Sequence, residues 1–167
     1  EDEANRICKA ATTRGTNFHE VCQDYIENNL KEDYDELSMK MFEAVKPELD
    51  KIGVVHAVER SMYSEVLGIA GRVDCIAEYD GELAIIDFKT ATKMKKEEWI
   101  EQYFVQEVAY ACMYYELTNI PVKKLITIMV TPQCEVKVFD KRDKMYYIKL
   151  LSEYIKQFVN DKLESYG

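Results

Sequence analysis

Apolar positions recur at helical spacing in two early stretches of the chain. Residues 3–28 read as helix with an interruption at Gly15, after which Phe18, Val21, Cys22, Tyr25 and Ile26 share a face. Residues 33–52 carry a second stripe of Leu37, Met41, Ala44, Val45, Leu49 and Ile52, with Pro47 placed to kink or split the helix. The period then changes. Residues 54–66 are Val-rich and alternate like a half-buried strand, and Leu67-Gly68 reads as a turn. Two strands, 69–79 and 82–90, flank Asp80-Gly81, a strong hairpin signal. Helical spacing returns over 97–117 and stops before Asn119 and Pro121. Residues 123–131 read as a buried strand ended by Pro132, and 134–139 alternate again. A last helix over 141–165 carries Met145, Ile148, Leu151, Ile155, Phe158, Val159 and Leu163 along one side. This order gives an α/β fold with a central mixed β-sheet of about five strands flanked by helices. One domain over 1–167 is expected: N-terminal helices in 1–52, a sheet core in 54–139 that includes the helix 97–117, and the closing helix.

The hairpin brings chemistry together. With a two-residue turn, Tyr79 pairs with Glu82, and counting back places Asp74 opposite Asp87 and Arg72 opposite Lys89. Asp87 and Lys89 are two apart and share a strand face. That face also carries Ile76 and Ile85, while Val73, Cys75, Ile86 and Phe88 lie on the other, so the hairpin is expected to be central. Like charges opposed in a central sheet destabilise it, and a buried carboxylate needs a cationic partner. Arg72 and Lys89 would serve in a structural ion-pair cluster. A divalent metal with oxygen ligands would serve both carboxylates at once. A metal beside a lysine suits phosphodiester hydrolysis: the cation acidifies a water and the ammonium meets the water or the phosphate. A bulge would shift this register.

Composition narrows the setting. Apolar residues make up 47% and charged residues 32%, as in a soluble globular protein, and no apolar run approaches the roughly 20 residues of a bilayer span. No membrane partner and no signal peptide are expected. The chain begins without Met in a polar, helix-like stretch, as a processed fragment would. With 22 basic against 31 acidic residues the net charge is −9, which argues against a non-specific nucleic-acid coat. It does not argue against an enzyme that gathers basic residues at a cleft and carboxylates at a metal. The five cysteines (Cys8, Cys22, Cys75, Cys112, Cys134) include no closely spaced pair, so a zinc ribbon or disulfide framework is not expected. Cys22 and Cys75 fall in apolar patterns, as core residues of a protein in a reducing intracellular compartment.

Four segments together resemble the PD-(D/E)XK nuclease superfamily, RecB-like branch. Gly71-Arg72-Val73-Asp74 and Ile86-Asp87-Phe88-Lys89-Thr90 match its G-x-x-D and D-x-K core, Gly15 to Glu20 its G-x-x-x-H-E helix, and Gln106 to Tyr110 its Q-x-x-x-Y helix. The narrower likeness is to the mitochondrial genome maintenance exonucleases and similar phage exonucleases. The resemblance implies a restriction-endonuclease-like core and a Mg²⁺- or Mn²⁺-dependent DNA exonuclease that needs a single-stranded end. A structure-specific endonuclease or junction resolvase, or a non-catalytic nucleic-acid-binding module, remain alternatives. It implies His19, Asp74, Asp87 and the Phe88 carbonyl as metal ligands, Glu59 as either a ligand of a second metal or a residue that orders the lysine, Lys89 as the catalytic lysine, and Gln106 and Tyr110 as residues that line the site and position substrate. Thr90 would contact phosphate. Lys93, Lys95 and Lys96, directly after that strand, are candidates for a DNA backbone, and Trp99 and Tyr103, four apart, for bases. Each of these also has a plainer reading as solvated loop or core. His56 lacks such context and reads as structural or exposed. Some RecB-like nucleases hold an iron–sulfur cluster through a late cysteine trio; only Cys112 and Cys134 occur after residue 100, so no cluster is expected. The expected partner is DNA, the oligomeric state is left open, and the setting is a bacterial or phage-infected cytoplasm, a mitochondrion or a nucleus.

Overall fold

The computed structural model describes residues 2–166, with side chains through Ser165. Strands β2 (Ile69–Tyr79) and β3 (Glu82–Thr90) are joined by Asp80 and Gly81 at φ 53° and 86°. Two left-handed residues in succession make the turn whose twist suits a hairpin. Strand β1 (Ile52–Ser64) pairs antiparallel with β2, β4 (Lys124–Val130) pairs parallel with β3, and β5 (Val136–Lys141) pairs antiparallel with β4. The sheet is thus mixed, in the order β1-β2-β3-β4-β5. A parallel step needs a crossover. Here a 3-10 turn at Glu97–Trp99 leads into α3 (Glu101–Thr118), which ends on Asn119 in the left-handed conformation, φ 64°.

Helices cover both faces. On one, α1 (Asp2–Ile26) and α2 (Glu36–Leu49) set Phe18, Val21, Met41 and Val45 against Cys75, Ile86 and Ile128. On the other, α3 and α4 (Lys144–Tyr166) set Ile100, Phe104, Val108 and Leu151 against Ile76, Ile85, Leu125 and Met129. Every residue of β4 is buried, which accounts for its mostly apolar sequence; its one lysine, Lys124, donates to the Tyr79 carbonyl at 3.0 Å. No helix among the described residues is long and apolar enough to cross a membrane.

Two expected interruptions do not occur. Helix α1 runs straight through Gly15, where a Cβ would stand 3.1 Å from Thr90 Oγ1. That glycine marks the close approach of α1 to β3 rather than a break. Pro47 lies in the last turn of α2, close enough to its end that the helix still reaches Leu49. At the other end, Asp35 caps α2 by accepting from Ser38 N at 2.9 Å, so the helix starts at Glu36 rather than at residue 33; it ends at Leu49, and Ile52, counted in its stripe, opens β1 instead.

Strands β1 and β2 change face together at one place. Ala57 and Ile76 point to the α3 side, yet so do Met62 and Val73, each an odd number of residues further on. The pairs Val58↔Cys75 and Arg60↔Val73 bracket the switch, leaving Glu59 and Asp74 between them. Glu59 takes φ 49°, a left-handed value that costs about 1–2 kcal/mol for a residue with a Cβ. Local strain therefore sits at Glu59, opposite Asp74.

Candidate active site

The two hairpin aspartates meet, though not as a ladder pair. Pairing between β2 and β3 stops at Cys75↔Ile86, one step short of Asp74 and Asp87. From there the strands splay, and Asp74 Oδ2 accepts the Phe88 N–H at 2.8 Å in place of a lost ladder bond. Arg72 does not reach Lys89 as counting back suggested. The splay carries it away, and its Nε lies 2.9 Å from Glu59 Oε2 and donates to the Glu59 carbonyl at 3.1 Å.

Both aspartates are deeply placed, Asp87 at 4% and Asp74 at 9% exposure, so only compensated charge can persist there. Burial pushes the Asp87 carboxyl well above the usual carboxylate range, and the neighbouring Asp74 adds to the rise. Burial also works to raise Asp74, but hydrogen bonds from His19, Asp87 and the Phe88 N–H outweigh it and hold Asp74 low. The two carboxyls are thus pushed in opposite directions, Asp87 up and Asp74 down.

Around Asp74 a second group converges. His19 Nδ1 lies 3.5 Å from Asp74 Oδ1, and donor atoms of His19, Glu59 and Asp74 all fall within 4.8 Å of one another. Burial alone would lower the His19 pKa; Asp74, Asp87 and the Phe88 carbonyl raise it above its ordinary value. Burial and the Asp74 charge raise Glu59 in turn. These residues line one wall of an open cleft of about 650 Å³ with Thr16 and Gln23. Asp87 stands beside the cluster; its Oδ2 is 2.9 Å from Lys89 Nζ but makes no well-directed hydrogen bond. An under-satisfied buried carboxylate beside imidazole and carboxylate donors fits a hard divalent cation such as Mg²⁺ or Mn²⁺.

Lys89 is held in a network. It donates to Gln106 Oε1 at 3.1 Å, and Gln106 Nε2 donates to Tyr110 OH at 2.9 Å. Its ammonium also lies 4.7 Å from the centre of the Tyr103 ring. Burial would lower the lysine, yet Asp87 raises it further, so the ammonium persists. The i, i+4 spacing of Gln106 and Tyr110 places both on one face of α3, above the end of β3. Gly71 makes room for this: a Cβ there would lie 2.9 Å from Tyr110 Cε1. Gly71→Ala is expected to displace Tyr110 and destabilise the fold by about 1–3 kcal/mol, read from urea unfolding.

The remaining expected contacts spread outward. Thr90 sits under α1 at Gly15. Lys95 donates to Tyr103 OH at 3.4 Å, so Tyr103 lies between two ammonium groups rather than open to solvent. Trp99 is 61% exposed with Lys96 Nζ 5.2 Å from its ring centre, and Lys93 is exposed. His56 lies on β1 away from the cluster, 3.5 Å from Tyr114 OH.

Sequence reasoning missed Glu107. It is completely buried, accepts a hydrogen bond from Thr127 Oγ1, and leaves its Oε1 unpartnered. Thr127 is the ladder partner of Asp87. Burial, then the Asp87 charge, drives the Glu107 carboxyl well above its ordinary range. The signal was present: an acid in an otherwise apolar stretch of α3, directly after Gln106.

With this geometry in place, comparison with known proteins gives a consistent answer. The model of the PD-(D/E)XK nuclease superfamily matches residues 3–161, and the chain belongs to that superfamily. It is 36% identical to the human mitochondrial genome maintenance exonuclease 1 over 116 residues, 66% of this chain and 33% of that protein. The mouse protein of the same name is 32% identical over 84 residues, 49% of this chain and 25% of that protein. The chain therefore spans a third or less of the length of these relatives. A solved exonuclease candidate from Eubacterium rectale superposes with a TM-score of 0.61 at 10% identity, over 90% of this chain and 66% of that one, which speaks for the fold alone.

Proposed function

We propose that this chain is a divalent-metal-dependent deoxyribonuclease that shortens DNA from a free single-stranded end. The observation that carries the reading is the convergence of His19, Glu59 and Asp74 on one point, with Asp87 and Lys89 at its edge. His19, Asp74, Asp87, the Phe88 carbonyl and Glu59 would hold the cation. When bound, it supplies an acidified water and neutralises charge developing on the scissile phosphate.

The chain's own groups do the rest. With a cation bound, Asp87 would be held as its carboxylate, because both charges would then be compensated. Lys89 aims its ammonium at the attacking water and a phosphate oxygen, where charge grows in the transition state. Gln106 fixes that ammonium through Oε1, and Tyr110 fixes Gln106. Thr90, Lys93, Lys95 and Lys96 meet the DNA backbone, with Trp99 and Tyr103 beside them. The exonuclease names of the mammalian relatives support action from an end.

End-labelled linear single- and double-stranded DNA and circular single strands, incubated with Mn²⁺ or Mg²⁺, test this. Linear single strands should shorten from one labelled end, circles should stay intact, and chelation should stop the reaction. Cut circles would turn the reading to a structure-specific endonuclease. Intact substrates throughout would leave a non-catalytic binding module.

A further inference from the structure

The metal cleft continues along α1 into a second groove. Thr12, Gly15, Thr16, His19 and Gln23 follow one face of the helix, and both grooves border it. Eleven residues separate Thr12 from Gln23, about 16 Å of helix at 1.5 Å per residue. The second groove, about 740 Å³, runs between α1 and the segment that joins β3 to the 3-10 turn. Thr12, Arg14, Thr90, Lys93, Lys95 and Trp99 line it.

Its chemistry is opposite to that of the metal end. Beyond His19 the cleft is flanked by Glu20 and Glu59, whereas the second groove carries Arg14, Lys93 and Lys95 in a chain of net charge −9. Arg14 lines this groove, and among the described residues no side-chain hydrogen bond or ion pair engages its guanidinium, whose buried Nε is also unpartnered. Across the groove Trp99 presents an exposed ring. A cation for phosphate and a flat aromatic for a base are the two parts of a single-strand platform. Thr90 borders this groove directly after Lys89, so the groove opens from the lysine end of the site.

Resting on the nuclease reading above, we propose that this groove holds the single strand on one side of the scissile phosphate. A backbone phosphate sits on Arg14 and a base stacks on Trp99. The other side, acidic and without such an anchor, holds the strand only through the cation. The enzyme therefore grips its substrate asymmetrically about the scissile phosphate.

Trp99 is the single tryptophan of the chain, so its fluorescence reads this groove alone. The whole protein in chelator, where cleavage is suppressed, is titrated with fluorescein-labelled oligothymidylate; anisotropy follows binding and tryptophan emission follows the groove. Saturable quenching is expected. Arg14→Ala should weaken binding about 10-fold and flatten the slope of log affinity against log salt by about 0.7. Trp99→Leu should weaken it about 10-fold with the slope unchanged. Both variants should keep the Mn²⁺-induced rise in melting temperature. Binding without quenching, or with unchanged affinity in a folded Arg14→Ala protein, overturns the groove. If Arg14→Ala does not fold, Arg14→Gln and the wild-type quenching decide. Cleavage by that same protein in Mn²⁺ would leave the nuclease reading standing; neither binding nor cleavage would bring down both.

Discussion

Lys89→Ala is expected to reduce single-turnover cleavage of end-labelled DNA in Mn²⁺ by at least about 10²–10³-fold, the loss typical of one preorganised charge-stabilising group. Binding of the oligonucleotide should change far less, because the grip on the strand lies along the neighbouring groove. The fold should persist: Lys89 is partly exposed at the end of β3, and its principal partner Asp87 can retain its proton when the ammonium is gone. Lys89→Arg should not rescue. A planar guanidinium cannot take the single position set by Asp87 and Gln106, at 2.9 and 3.1 Å. Gln106→Ala should show a smaller loss in kcat, since it removes the group that orients the ammonium and leaves the charge. A Lys89→Ala protein that melts normally yet cleaves at the wild-type rate would remove the lysine from the mechanism.

Much of this arrangement was legible because local rules agree with the global fold. The Asp80-Gly81 turn set the register of β2 on β3 from Tyr79↔Glu82 to Cys75↔Ile86, as counting from a two-residue turn requires. The mostly apolar stretch from Leu125 to Val130 within 123–131 marked a buried strand, and β4 is that strand. Where the reading failed, a tertiary contact had overruled a local rule. In sequence Gly15 reads as a helix interruption and Gly71 only as the first residue of a motif, with no steric reason for either. In the fold they are the places where Thr90 and Tyr110 come too near for a Cβ. Asp74 and Asp87 were brought together for an incomplete reason. Strict pairing would have left them as an opposed ladder pair, whereas the splay lets Asp74 bond the Phe88 N–H and turn toward His19. That splay coincides with the left-handed backbone of Glu59, and no residue type there announces it. Arg72 was misassigned for the same reason. The site is thus built on a defect in the sheet, and periodicity does not report defects.

The same defect makes the site electrostatically poised, and Asp87 is where that shows in stability. Its folded-state pKa is raised above the ordinary carboxylate value of about 4, so the folded protein holds a proton that the unfolded chain releases. Stability from this group is fully present below pH 4 and is lost as pH rises toward the raised folded pKa. Asp74, held low, acts in the opposite sense and loses its contribution only in acid. In chelator at pH 8, Asp87→Asn should therefore be more stable than the wild type by about 1–3 kcal/mol, because a neutral amide replaces a buried charge or a costly proton. For a chain of this size that is roughly 2–10 °C in melting temperature. The gap should close at pH 4–5, where Asp87 carries its proton in the wild type. Saturating Mn²⁺ at pH 8 should stabilise the wild type, by about 2.7 kcal/mol at 100 times Kd, and so raise its melting temperature, while moving Asp87→Asn much less. Melts of both proteins at the two pH values, with and without Mn²⁺, check all of this at once. A structural ion pair between Asp87 and Lys89 predicts the reverse: Asp87→Asn would leave the Lys89 ammonium without its partner, destabilise the protein at pH 8 and spare any response to the cation. The sign of that one difference separates a carboxylate kept for a metal from one kept for a lysine.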